Sequence, residues 1–457
     1  MVRKLASIPA GVGLFLAGLA PLLFSPHVSL ASDLTYTVRL NKKQVLIERA
    51  DGSSTVSVEQ KGYDRLADPG MPALPYRVFS ILLGQGQEVQ SYDFIAGNTI
   101  QLHKSAEFEL AGASVAEDGT IGEGVHMAQR GETYPQAWGR YIGTGYLHGR
   151  AIASFAVFPL RVSGEALLLA EDVRVEVTTR AGPMDHVVVR ERYRENFEEK
   201  LRAELADLVV NPEMNDTYVF QQVRVPKQKG GFQPTTFPSL EGSAVDYLII
   251  TRESLVSDFQ RLADWKTAKG VPTVIRTVEW IEANTKNGVD LQETIRFFVR
   301  EAYAKWGITY VLLGGDTDAV PARFAISRFY LQGTEVPVDM YYGGLDGSWN
   351  DDHDDLWGEG FNLVPVDSPD LYVEVYNGRM PVSDSPAINV LIDKIISYES
   401  AANIDYLDRF MFLAEVLFPL KWPNPPVITT NGADYVELLL ANSMAGHSMD
   451  VVKMYET

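Results

Sequence analysis

Near residue 245 the hydrophobic pattern of this 457-residue chain changes period, so the chain must build two kinds of domain. Upstream, apolar and polar residues alternate in short runs at 35–40, 44–48, 88–94, 152–160 and 173–177. Asp51-Gly52, Asp118-Gly119 and Ser163-Gly164 supply turns among them. Alternating side chains point to opposite faces of a strand, so residues 32–180 are expected to form a β-rich, sandwich-like domain. Gly143-Thr144-Gly145 reads as one more turn within it. Downstream, wholly apolar runs of strand length alternate with helices of period 3.6. Residues 246–251 and 310–313 are runs of the buried-strand type, and 271–278 reads as another strand. Leu255, Phe259 and Leu262 share a helix face, and Asp290 with Glu293 makes a capping box ahead of Ile295, Phe298 and Val299. This order predicts an α/β domain over 244–402, an open parallel sheet with helices on both faces. A second α/β unit is expected to begin at 403–457, with a strand at 410–416, a helix at 433–444 and a strand at 451–455. One strand–helix–strand unit cannot bury both faces of its own sheet, so this unit is expected to be incomplete.

Residues 181–243 read as a linker and activation region, an exposed tether between the domains. Phe197, Leu201 and Leu205 give part of it helical spacing. At the start of the chain, Arg3 and Lys4 precede an apolar stretch and then Ser29-Leu30-Ala31, the pattern of a cleaved signal peptide over 1–31. The product is therefore expected to be secreted, extracellular or at a bacterial cell surface. No membrane span is expected after cleavage, because no other run approaches about 18 uninterrupted apolar residues. Sixty acidic against 40 basic residues give a formal net charge of -20, a field that repels phosphate backbones and argues against nucleic acid. There is no cysteine, which removes disulfides, zinc–thiolate sites and thiol nucleophiles from these residues. Phosphate-binding glycine loops, nucleophile elbows and paired-histidine zinc helices are also missing. His447, between a helix and a strand, reads as a turn residue.

The remaining chemistry is acidic. Residues 370–375 alternate, which as a strand would put Asp370, Tyr372 and Glu374 on one face. Two acids inside an α/β core need a basic partner or a cation, and Arg379 or calcium could serve. Asp316 follows the 310–313 strand at the edge where open sheets carry their sites. Asn350, Asp352, Asp354 and Glu359 form a second candidate calcium loop, with oxygen ligands at alternate positions.

Three stretches carry a family resemblance: 297–307, Tyr310-Val311-Leu312-Leu313-Gly314-Gly315-Asp316, and 370–382 with Gly378-Arg379-Met380-Pro381-Val382. In this order, followed by a helix ending at Tyr398-Glu399, they resemble the first subdomain of the gingipains, secreted bacterial cysteine endopeptidases of caspase-like fold. Gly70-Met71-Pro72-Ala73-Leu74-Pro75, with Tyr134-Pro135 and Phe158-Pro159, is similar to their propeptide. The resemblance implies structural calcium held by Asp316, Asp370, Glu374 and the backbone oxygen of Tyr372. It implies protein or peptide substrates for the complete enzyme. It further implies a propeptide that packs on the catalytic region until it is cut, with 190–229 as the expected region of cleavage. In that family a histidine manages protons while a cysteine thiolate attacks the scissile carbonyl. Neither has a counterpart here, so the chain is expected to be an inactive, N-terminal part of such a precursor. The alternative is a non-catalytic secreted module whose calcium-stabilised α/β domain binds or scaffolds.

Overall fold

The computed structural model describes residues 33–455 except 51–52, 67–70, 105–106, 110–132, 185, 227–228, 327–334, 362–363, 402–403, 416–431, 443 and 445. The expected signal peptide, Asp51-Gly52, Asp118-Gly119 and Gly70 lie outside the described residues.

The upstream strands are β1 (Asp33–Arg39), β2 (Val45–Ala50), β3 (Ser53–Val58), β4 (Pro75–Leu82), β5 (Gln87–Ala96) and β6 (Thr99–Lys104). They continue with β7 (Gly139–Leu147), β8 (Arg150–Val157), β9 (Leu160–Ser163), β10 (Ala166–Ala170) and β11 (Asp172–Ala181). They pair antiparallel in sheets ordered β1-β11-β5, β7-β8-β4, β6-β10-β9 and β2-β3. Val173, Val175 and Val177 alternate inward from β11 and meet Ile81, Ala153 and Phe155 of β4 and β8, so two sheets share one core. The opposite face of β4 and β8 is covered as well. There Leu82 and Ile152 pack on Leu201 and Leu205 of α1 (Phe197–Leu208). Covered on both sides, β8 reads as a continuous apolar run rather than an alternating one.

One expectation for this half changes. Gly143-Thr144-Gly145 is not a turn but part of β7, next to a bulge between Tyr141 and Gly143. The chain reverses instead at His148 and Gly149, whose φ values of 50° and 84° suit the two-residue turn that best matches the twist of a hairpin.

The downstream domain contains β12 (Tyr247–Thr251), α2 (Val256–Ala268), β13 (Thr273–Thr277), α3 (Val278–Asn284), α4 (Leu291–Glu301), β14 (Tyr310–Gly314), β15 (Tyr376–Met380) and α5 (Ser385–Ser400). Its sheet is parallel throughout, in the order β13-β12-β14-β15. Leu248 and Ile250 of β12 face Ile295, Phe298 and Val299 of α4. Ile249, pointing the other way, meets Phe259 and Leu262 of α2 and Ile388 and Ile392 of α5. Asp290 caps α4 by accepting the Glu293 N–H at 2.8 Å, and Ala302–Trp306 continue it as one π turn. That turn closes with the Gly307 N–H on the Ala302 carbonyl at 3.0 Å, and Gly307, at φ 79°, ends the helix.

The strand expected at 370–375 begins only at Tyr376. Asp370 accepts the N–H of Tyr372 at 2.9 Å, a local turn that competes with strand pairing. The first amide of this segment to bond towards β14 belongs to Tyr376, which reaches the Thr309 carbonyl at 2.9 Å.

The connector differs along its length from an exposed tether. Val187, Val188, Arg190 and Arg192 are buried. The N–H groups of Glu191 and Arg192 both reach the Ala304 carbonyl, at 3.0 and 3.1 Å. Arg190 donates to the Ile308 carbonyl at 3.0 Å and Arg192 to that of Lys305 at 2.7 Å. These side chains satisfy carbonyls that the end of α4 leaves free, where its dipole favours cations. Only farther on is the connector open, with Val219 75% and Val223 48% exposed.

Beyond α5, β16 (Arg409–Ala414) and β17 (Asp450–Tyr455) pair in parallel around α6 (Gly432–Asn442). Among the described residues no other strand joins them, and Met411, Leu413 and Met454 are exposed. His447 lies in a turn, its N–H on the Met444 carbonyl at 3.3 Å.

Limited trypsin digestion of the folded chain should cut first after Arg224 or Lys229, both exposed, and only later after Arg190 or Arg192. N-terminal sequencing of the first fragments checks this. Early cleavage at Arg190 or Arg192 would mean that the connector is not docked.

Candidate functional site

Two loops at one end of the parallel sheet bring three carboxylates to a single buried place. Asp346 follows the turn Asp339–Tyr342, while Asp370 and Glu374 sit in the segment that leads into β15. Their exposures are 0%, 4% and 2%. Close approach of the loops depends on glycine. A Cβ on Gly344 would stand 2.7 Å from the Asp370 carbonyl, and one on Gly347, at φ 69°, would stand 2.6 Å from that of Ser368.

The upstream domain completes the place. The β7–β8 hairpin points its tip at the carboxylates, and each of them accepts one backbone N–H from upstream residues. Tyr146 donates to Asp370 Oδ2 at 2.5 Å, His148 to Glu374 Oε1 at 3.3 Å and Val188 to Asp346 Oδ1 at 2.5 Å. Glu374 Oε2 accepts the Leu345 N–H at 2.8 Å. Asp346 Oδ2 is buried with no hydrogen-bond partner.

His148 anchors the tip. Its Nδ1 lies 2.8 Å from the Tyr303 hydroxyl, its ring stacks on Tyr303 at 5.8 Å, and Phe197 meets it edge-on at 4.9 Å. Burial, with Arg190 and Arg150 adding repulsion, pushes its pKa down to about 3, so the ring is neutral. Arg150 binds Glu198 at 2.7 Å and Asn215 at 3.0 Å, and Arg190 lies 4.3 Å above the Phe197 ring.

The carboxylates titrate as crowded, dry acids. Burial raises Asp346 to about 7, with Asp370 adding to it and the Val188 amide opposing. Burial raises Asp370 to about 6, against the amides of Tyr372 and Tyr146 and the charge of Arg296. Glu374 is raised well above the usual carboxylate range, by burial first and then by Asp346. Arg296 is the nearest buried cation, yet its donors go to the carbonyls of Gly344 at 2.7 Å and Asp346 at 2.8 Å. The three acids supply oxygen donors of the type hard cations take, but among the described residues only Asp352, Asp354 and Glu359 have carboxylate oxygens all within 4.8 Å of one another.

The residues expected from the sequence separate. Asp370 and Glu374 come together, with Tyr372 between them. Asp316 does not join them. β14 and β15 run parallel with Tyr310 beside Tyr376, so Glu374 precedes the sheet and Asp316 follows its far end. Five residues at about 3.3 Å each put roughly 16 Å of strand between the two. At its own end Asp316 donates its N–H to Ser383 Oγ at 3.0 Å and accepts the Thr317 N–H on Oδ1 at 2.8 Å. Arg379 serves neither acid, binding Asp339 at 2.7 and 2.8 Å. In the acidic loop, Asp352, Asp354 and Glu359 have carboxylate oxygens within 4.8 Å of one another. The Asn350 amide instead closes the loop on the Asp354 backbone, at 2.6 and 3.1 Å. Buried Asp367 ties the two ends, accepting the N–H groups of Asp351 at 2.7 Å and Glu359 at 2.9 Å.

Sequence reading missed Asp346, Asp367 and Arg296. The signal for Asp346 was present in Gly343-Gly344-Leu345-Asp346-Gly347, where the glycines announce a tight backbone approach. Arg296 carried none, because a charge on a helix face is ordinarily solvated.

Residues 241–455 match the profile of Peptidase family C25. Gingipain R2 of Porphyromonas gingivalis is 26% identical over 166 residues, 36% of this chain and 18% of that protein. Lys-gingipain of the same species is 22% identical over 187 residues, 39% of this chain and 9% of the relative. The matched part thus spans only 18% and 9% of these relatives' own lengths. Among solved structures, a complex of Porphyromonas gingivalis RgpB pro- and mature domains aligns with a TM-score of 0.33 and 19% identity over 46% of this chain and 42% of that one. Dimeric latent PorU from the same species aligns with a TM-score of 0.26 and 13% identity over 87% of this chain and 43% of that one. Structural likeness of this degree is slight.

The buried acids make a pH signature. A carboxyl raised from 3.8 to about 7 binds more protons folded than unfolded, so its contribution to stability falls as pH rises through that interval. His148, lowered from 6.5 to about 3, acts in the opposite sense, losing stability as pH falls below 6.5. Asp346→Asn isolates the first effect. In chelator the variant should gain stability relative to wild type between about pH 5 and about pH 8, by a few kcal/mol at roughly 1.4 kcal/mol per pH unit. Urea unfolding at both pH values measures the difference, and parallel curves would refute it.

Proposed function

We propose, for a chain whose residues 241–455 belong to peptidase family C25, the family of the gingipains, that it supplies the propeptide and the non-nucleophilic first part of a cysteine endopeptidase precursor. The family match carries this reading. The upstream domain is then the sandwich-like propeptide and the downstream sheet the caspase-like part. Docking of the β7–β8 hairpin on buried acids of the sheet domain supports that division. Thiolate attack on a peptide carbonyl needs a cysteine thiol, and the 457 residues include no cysteine, so these residues position and restrain rather than react. A cut in the exposed stretch near Arg224 or Lys229 would separate propeptide from sheet domain without disturbing the docked part of the connector. The leader pattern at 1–31 supports export to the cell surface or medium. No helix among the described residues is long and apolar enough to cross a membrane.

Calcium belongs to this proposal as a structural ion. Asp370 and Glu374 would hold it with the Tyr372 backbone oxygen and with Asp346, whose buried Oδ2 has no hydrogen-bond partner, and the three carboxylates would have to draw together to do so. The ion would neutralise charge that burial leaves uncompensated. Asp352, Asp354 and Glu359 form a second, exposed candidate set.

Thermal unfolding in calcium and in chelator tests the first site. Asp346→Asn and Glu374→Gln should abolish most of the calcium-dependent rise in Tm, and Asp316→Ala should leave it intact. Equal rises in all three variants would remove the ion from this site. The enzyme assignment has its own check in the coding sequence after codon 457. A frame continuing into a histidine and a cysteine supports the precursor. A stop codon would favour a non-catalytic binding or scaffolding module. Fluorogenic peptides should remain uncut by the 457-residue chain with or without reductant.

A further inference from the structure

Three upstream groups reach the buried acids, and all three are backbone amides, from Tyr146, His148 and Val188. Every residue except proline offers such a donor, so these bonds hold the junction without telling one partner from another. Discrimination needs side chains that cross it. His148 crosses from the hairpin to Tyr303, and Tyr372 crosses in the opposite direction. The Tyr372 ring leaves the sheet domain and packs against the cluster of Leu82, Leu147, Ile152, Leu201 and Leu205, where the upstream sheet meets α1.

A gap in the upstream sheet receives it. Gly145 of β7 pairs with Ile152 of β8, and Ile152 with Leu82 of β4, so the three share one rung and one face. Glycine weakens a strand interior and often marks a place that another group approaches closely. Here the backbone does not ask for it, since Gly145 lies outside the left-handed region that glycine alone enters freely. Space does. A Cβ at 145 would stand 2.5 Å from Cδ2 and 2.9 Å from Cε2 of Tyr372, and 2.7 Å from Asp370 Oδ1. The ring thus stands where the side chain of residue 145 would be.

We propose that Tyr372 is the anchor by which the sheet domain recognises the upstream domain, and that Gly145 is the notch that admits it. The partner this surface fits is a β-sheet face that lacks one side chain within an otherwise aliphatic row. A related domain with a larger residue at that rung is turned away by overlap, whatever its charge. Aromatic side chains seated in well-packed pockets carry most of the binding energy at interfaces, and the contacts around them add mainly fit. The inference needs neither an ion nor the peptidase assignment, only the two domains and their contact.

The test uses the full chain with a site-specific protease sequence inserted between Gly230 and Gly231, an exposed pair with positive φ. Held on a biosensor by its upstream end and cut in place, the chain loses its sheet domain at a rate that reports the junction. Release should be about 30-fold faster for Tyr372→Ala. Tyr372→Phe, which keeps the ring, should release at the wild-type rate. Gly145→Ala should speed release roughly 5- to 150-fold, the range expected of overpacking. Most of that factor should vanish when Gly145→Ala is combined with Tyr372→Ala. Each variant must show the far-ultraviolet dichroism of wild type, and Tyr372→Leu takes the place of Tyr372→Ala if the latter does not fold. Release of Tyr372→Ala at the wild-type rate overturns the anchor. An undiminished effect of Gly145→Ala in the absence of the ring overturns the notch, since it would assign the glycine to Asp370 instead.

Discussion

Negative charge enclosed at a junction between two domains is the constraint around which this molecule is arranged. Asp346, Asp370 and Glu374 are almost free of solvent, and the backbone that encloses them comes from a domain some two hundred residues earlier in sequence, as the separations of 224 and 226 residues for the Tyr146 and His148 contacts record. Arginines crowd the same junction without answering that charge. Arg150 pairs with Glu198, Arg194 with Asp246, and Arg190 and Arg192 spend donors on carbonyls at the end of α4. The basic side chains thus fasten the connector to the sheet domain, and the acids are left with amide donors and one empty-handed oxygen.

This division of labour explains why the connector is two things at once. Its first part is structural, held by hydrogen bonds to helix-end carbonyls that would otherwise lie bare. Its later part runs exposed past Val219 and Val223. Docking and openness thus lie in different residues of the connector.

Much of the architecture was legible because burial on two faces leaves a plain trace. β12 and β14 are solid apolar runs, α2 and α5 carry their periodic stripes, and Gly307 marks the end of the helix that precedes β14. The errors came from residues whose partners are remote. The alternation at 370–375 looks like a strand, but Asp370 turns on its own backbone and points into the junction. Gly145 resembles a turn glycine, yet it is small because Asp370 and Tyr372 stand against it. Arg190 and Arg192 read as solvated charges, although the carbonyls they serve are 118 and 113 residues away. α3 was lost because it starts directly from β13, with Thr277 as its only announcement. In the site, Asp370 and Glu374 could be found from their spacing, whereas Asp346 becomes visible only once the glycine loop is folded against them.

The single π turn at Ala302–Trp306 leaves a mark of a different kind. It accommodates one residue more than a regular helix would, and deleting that residue would swing the following side chains by about 100°. Tyr303 could then no longer face His148 while Trp306 kept its place in the core. Homologues that retain the docked domain should therefore conserve the length of this stretch more strictly than its composition, and a one-residue gap there would be the trace of a lineage that has given the arrangement up.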